Sequence, residues 1–108
     1  MTKSQKLMVL ETAIKHFGIS AQVDVAIEEM AELTQALIHD RRGRPANIAE
    51  EIADVIIMLQ QLEMCYNIPH EKVMETIDTK IMRLAMKLEK EGALLIAKKE
   101  VRYENPVL

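Results

Sequence analysis

The sequence predicts an all-α protein, an antiparallel four-helix bundle whose core is completed by oligomerisation. Three observations carry that expectation. Apolar residues recur at helical spacing through four segments of the 108-residue chain. Short Gly-, Asn- and Pro-bearing breaks separate those segments. Composition is 49% hydrophobic with eight Met but one Phe, two Tyr and no Trp, which suits helix packing. No strand signal is convincing ahead of the carboxyl-terminal tail, and no internal repeat or low-complexity segment is present.

The first helix is expected over residues 4–17, with Leu7, Leu10, Ile14 and Phe17 on its buried side. Gly18 ends it, and Ser20 is placed to cap the next. The second helix then runs to about Arg41, with a core stripe of Val23, Met30, Leu33 and Leu37. The turn RRGRPAN follows, with Gly43 as the stop and Pro45 near the first turn of the third helix. That helix reaches about Tyr66 and should bury Ile48, Val55, Met58, Leu59 and Leu62. Asn67 and Pro69 mark the next break. The fourth helix runs to about Lys90 over Val73, Ile77, Ile81, Leu84 and Leu88, and Gly92 interrupts the pattern. One domain over residues 1–108 is expected, with the structure of the tail, 92–108, left open. Four short helices with wide apolar arcs expose more apolar surface than one small core covers, so the assembly should be at least a dimer.

A net charge of −3 gives no electrostatic case for a nucleic-acid polymer. Phe17, the only Phe, offers no stacking platform for single strands. The lone Cys65 excludes an internal disulfide, suits a reducing cytoplasm, and among apolar helical neighbours reads as an inert core thiol. The amino-terminal stretch is amphipathic, without the apolar run of a signal peptide, and no segment reads as a membrane span.

The chemistry-bearing feature is two carboxylate pairs, Glu29 with Glu32 and Glu51 with Asp54. Each pair is spaced by three residues, so its side chains share one helix face about one turn apart. At ~100° per residue, Glu51 falls inside the apolar stripe of the third helix, between the directions of Val55 and Met58. Asp54 sits at the edge of that stripe, near the direction of Cys65. Glu29 lies just off the stripe of the second helix, and Val25 and Ala36 bracket the carboxylates on the far side. A solvated acidic face is the usual reading of such pairs. Apolar residues on both sides argue against it here. Converging carboxylates repel, and burying them is costly without a compensating cation.

All four candidate ligands are oxygen donors, a set that favours Mg²⁺ or Mn²⁺ (Ca²⁺ shares the preference) over Zn²⁺ or copper. The Glu-x-x-His element of di-iron bundles is absent, because Ala13, Ala36 and Asn67 precede His16, His39 and His70 by three. The histidines are read as structural or surface residues. Mg²⁺ commonly binds through carboxylates together with substrate phosphates, which points to phosphate-ester or phosphoanhydride chemistry. Lys80, Arg83 and Lys87 share a flank of the fourth helix and suit phosphate oxygens; a solvated basic edge is the competing reading, as for Arg41, Arg42 and Arg44 in the turn.

Glu28-Glu29-x-x-Glu32, the RRGRP turn and Glu51-x-x-Asp54 together resemble the motif of the MazG-type all-α nucleoside triphosphate pyrophosphohydrolases, relatives of the dimeric dUTPases and of phosphoribosyl-ATP pyrophosphohydrolase. The motif spans residues 25–62, and KIMRL, residues 80–84, is similar to the family's downstream basic element. The resemblance implies Mg²⁺ held by Glu29, Glu32, Glu51 and Asp54, and hydrolysis of an NTP or dNTP to the monophosphate and pyrophosphate. It further implies a catalytic or water-orienting role for Glu28, phosphate binding by Lys80 and Arg83, and a homodimer or homotetramer. Val55-Ile56 follows Asp54 where phosphoribosyl-ATP enzymes carry an aromatic-His element, which counts against the histidine-biosynthesis role. The alternative expectation, from another class, is a non-catalytic helical oligomer, an interaction or regulatory module with a structural or vestigial metal site.

Overall fold

The computed structural model describes residues 1–94, so the tail, 92–108, lies outside the described residues from position 95 on. Four helices follow in order: α1 (Lys3–Phe17), α2 (Ile19–Arg41), α3 (Ile48–Cys65) and α4 (His70–Lys90). No strand occurs among the described residues. The chain divides into two compact units, Met1–Pro69 with α1, α2 and α3, and a second beginning at His70 with α4.

The ends of the helices are set by local chemistry. Thr2 caps α1 through a reciprocal box: its Oγ1 accepts from the Gln5 N–H at 3.1 Å, and its own N–H donates to Gln5 Oε1 at 2.8 Å. Gly18 alone joins α1 to α2, at φ 96° and ψ 151°, a conformation that side chains disfavour. Because the corner takes a single residue, Ser20 lies inside α2 and is not its cap. Pro45 lies three residues before α3, close to its first turn. The cap is Asn47, whose Oδ1 accepts from the Glu50 N–H at 3.2 Å while its Nδ2 donates to Glu50 Oε2 at 3.1 Å.

Helices α2, α3 and α4 share one stop. Gly43 at φ 72°, Asn67 at φ 52° and Gly92 at φ 75° each take the left-handed position. The next amide reaches back to close the last turn: Arg44 N–H to His39 O, Ile68 N–H to Glu63 O, Ala93 N–H to Leu88 O, all at 2.9 Å.

Within the first unit α2 packs along α3, and α1 lies against both. The short connection between α2 and α3 makes that pair antiparallel. The seam is lined by small or slender side chains. Ala26 and Ala36 from α2 and Met58 and Cys65 from α3 are its buried apolar residues, with Gln22 and Gln61 as buried polar neighbours. Gln61 Nε2 donates to the Leu10 carbonyl at 3.4 Å and ties α3 to α1.

This core differs from the expected stripes. Met30, Leu37 and Leu59 are exposed at the margins of the seam, and Leu7 and Phe17 are exposed on α1. Alanine at the line of closest approach lets two helix axes come near, and the larger side chains then splay to either side. Phe17 ends its helix beside the Gly18 corner and meets the His16 ring edge-on, with centroids 4.7 Å apart. In the second unit Val73, Ile77 and Leu88 are half-buried, whereas Ile81 and Leu84 are exposed.

Candidate metal centre

The acidic pairs face each other across the α2/α3 seam. Glu29 occupies the buried side of α2, in line with Gln22, Ala26 and Ala36, rather than the edge of the expected stripe. Glu32, one turn on, opens to solvent. Glu51 and Asp54 lie on the face of α3 that carries Met58, and both are half-buried. The antiparallel run of the helices sets one pair against the other. Each of the four residues offers a carboxylate oxygen, and these oxygens all lie within 4.8 Å of one another.

This arrangement leaves polar groups uncompensated. Glu29 Oε2 and Glu51 Oε2 are cut off from solvent and have no hydrogen-bond partner. Burial, reinforced by the Glu32 and Asp54 carboxylates, pushes the Glu29 carboxyl above the usual glutamate value of 4.5, with Glu51 adding to the effect. The Glu51 carboxyl is raised for the same reasons, burial first, then Glu32, Asp54 and its sequence neighbour Glu50. The contact between the Glu29 and Glu32 side chains adds to the rise of Glu29.

A hard divalent cation fits this cluster. Its donors are all oxygens, their mutual spacing allows one ion to be shared, and two of the four residues, Glu29 and Glu51, each carry an oxygen shielded from water without a hydrogen-bond partner. Such an ion would offset both the burial and the repulsion that raise the two glutamates.

The remaining candidates are distributed as follows. Glu28 is exposed on α2, about 100° around the helix from Glu29, and its carboxylate is not one of the four converging groups. Lys80 and Arg83 belong to the second unit. There they line an open groove along α4 with Lys72, Glu75, Thr76 and Thr79. Thr76 and Thr79 turn their hydroxyls back to the Lys72 and Glu75 carbonyls, at 2.8 and 3.1 Å, which leaves the cations as the groove's principal donors. Cys65 is a buried free thiol, as expected of a core cysteine. Sequence periodicity did not single out Gln22 and Gln61; the signal available was an amide at the apolar spacing seven residues from Glu29 and Asp54 respectively. No helix among the described residues is long and apolar enough to cross a membrane.

Comparison with family models, curated proteins and solved structures finds no significant match to this chain.

Proposed function

We propose that this protein is a Mg²⁺-dependent nucleotide pyrophosphohydrolase of the MazG type, converting an NTP or dNTP to the monophosphate and pyrophosphate. The observation that carries the reading is the set of four residues whose carboxylate oxygens come within 4.8 Å of one another, two of which, Glu29 and Glu51, also carry a buried, unpartnered oxygen. The motif that these residues form with Glu28 and the intervening RRGRP turn supports it from the sequence side.

In the overall reaction water adds to the α-phosphorus, the bond to the α,β-bridging oxygen breaks, and pyrophosphate departs with that oxygen. Glu29, Glu32, Glu51 and Asp54 would hold the metal. Mg²⁺, when bound, supplies a Lewis acid for the phosphate oxygens and lowers the pKa of coordinated water. The carboxylates must be ionised to serve as ligands, and the raised Glu29 and Glu51 therefore tie metal loading to pH. Glu28, exposed beside Glu29, is assigned to accept a proton from the attacking water or to orient it. The resemblance assigns Lys80 and Arg83 to the phosphate chain, whose charge exceeds what the metal neutralises. An antiparallel four-helix bundle completed in a homodimer or homotetramer belongs to the same reading. It is supported by the exposed apolar margins at Ile27, Met30, Leu37 and Leu59.

A pyrophosphate-release screen of canonical and modified NTPs and dNTPs with Mg²⁺ or Mn²⁺ tests the proposal. Metal-dependent release with at least one nucleotide is expected. Metal binding without turnover on any of them would replace the enzyme with a non-catalytic metal-bearing oligomer.

A further inference from the structure

We propose that the buried amides of Gln22 and Gln61 are the base-reading layer of the nucleotide site, two helical turns along the α2/α3 seam from the four carboxylates. The inference rests on the pyrophosphohydrolase reading and deepens it, from the phosphate end of the substrate to its nucleobase.

The placement uses only the two helices that carry the acids. Gln22 lies seven residues before Glu29 on α2, and Gln61 lies seven residues after Asp54 on α3. Seven residues advance about 10 Å and return to within about 20° of the same direction around the helix. Each amide therefore leaves its helix on nearly the side of its carboxylate. Because α2 and α3 run antiparallel, both steps lead the same way along the seam, away from the RRGRP turn. The converging carboxylates fix one level of the seam, and the two amides share a second. Ala26 and Met58, both buried, lie between the levels.

The second level is polar but lacks matching protein groups. Gln61 is 3% exposed and Gln22 8%. Gln61 Nε2 is committed to the Leu10 carbonyl at 3.4 Å, and its Oε1 is shut off from solvent without a donor. Among the described residues the Gln22 side chain has no hydrogen-bond partner. A buried acceptor left unsatisfied is costly, and an apolar side chain would fill the same space without that cost. The pairing edge of a nucleobase supplies what is missing. One N–H donates to Gln61 Oε1, and the neighbouring group meets the Gln22 amide, which both donates and accepts. A nucleotide with its α-phosphate at the metal then lays its sugar and base along Ala26 and Met58.

Entry of the base requires α1 to yield, and α1 is the most lightly held element of the first unit. None of its residues is buried, and only Leu10, Ala13 and Ile14 are half-buried. A single residue, Gly18 at φ 96°, joins it to α2. Elements with so little buried surface open locally at small cost.

The test compares Gln61→Met and Gln22→Leu with wild type, using the nucleotide that pyrophosphate release ranks first. It measures KM across the bases, calorimetric binding of inorganic tripolyphosphate in Mg²⁺, and Tm. KM for the preferred nucleotide should rise about tenfold or more in each variant, and the preference among bases should narrow. Tripolyphosphate, which has no base, should bind as it does to wild type. On wild type, an analogue methylated at the N–H groups of its pairing edge should lose as much as Gln61→Met loses on the natural base. Hydrogen exchange in α1 should slow on binding nucleotide and not on binding tripolyphosphate. A wild type that turns over the methylated analogue as well as the natural nucleotide overturns this inference alone. So does a Gln61→Met variant with raised Tm and unchanged base preference, which would make the amides a packing layer. A wild type that neither hydrolyses nucleotides nor binds tripolyphosphate overturns the functional reading and this inference with it.

Discussion

Helices α3 and α4 each carry two like charges three residues apart, Glu51 with Asp54 and Lys80 with Arg83. On α3 a second helix closes over the pair and brings two more carboxylates to it. The result is a buried, unpartnered oxygen on Glu51 and a carboxyl raised above its ordinary value. On α4, which is strongly amphipathic and has no fully buried side chain, the basic pair lines an open groove. Identical spacing therefore has different chemical weight. Charge spacing on a helix becomes a site when another element removes solvent from it, because desolvation magnifies every charge interaction.

The contrast is most sharply tested at Glu51. Glu51→Gln keeps shape and removes one charge, so Mg²⁺-dependent pyrophosphate release should be abolished while circular dichroism stays helical. Unchanged turnover would take Glu51 out of the metal centre. On the other side of the comparison, Arg83→Ala should raise KM or lower turnover by about tenfold and leave Mg²⁺ titration of the free protein unaltered. Wild-type kinetics in that variant would make the α4 groove an ordinary solvated edge.

Proton linkage offers a smaller but independent measurement. Glu29 and Glu51 have raised folded-state values, so the native metal-free protein holds more protons than the unfolded chain in the range between the unfolded and folded pKa values. Stability then falls as pH rises through that range. Acidifying from neutral pH toward the ordinary glutamate value of 4.5 should raise the metal-free Tm through these two groups. Glu51→Gln should start with a higher metal-free Tm and show a shallower pH slope. Saturating Mg²⁺ should reverse the sign of the wild-type slope, since protons then compete with the ion. A flat metal-free profile would mean that the two carboxyls are ionised without strain.

Assembly tests the apolar margins. Sedimentation at micromolar concentration should show a dimer or larger species, and a monomer would leave the exposed Ile27 and Met30 uncovered in solution. The smallest effect expected is at the turn between the two acidic helices. Gly43→Ala should cost about 1 kcal/mol in denaturant unfolding, because φ 72° is unfavourable for alanine, with the metal site intact.

Much of this molecule is determined locally. Apolar spacing, Gly43, Asn67 and Gly92 locate the helices to within a few residues, because a left-handed stop or a proline acts on its immediate neighbours whatever the rest of the chain does. The two carboxylate pairs are equally legible, since a spacing of three residues puts each on one face before any packing occurs. Other features required the tertiary structure. Ser20 reads as a cap until one glycine is seen to carry the whole corner. The large apolar residues read as core until Ala26 and Ala36 prove to be the buried apolar residues of α2. Glu29 reads as an edge residue until the facing helix covers it. Periodicity gives the direction of each side chain around its own helix axis. Which helix approaches that face, how closely, and at what register are relations between elements distant in sequence, and burial and pKa follow from those relations alone.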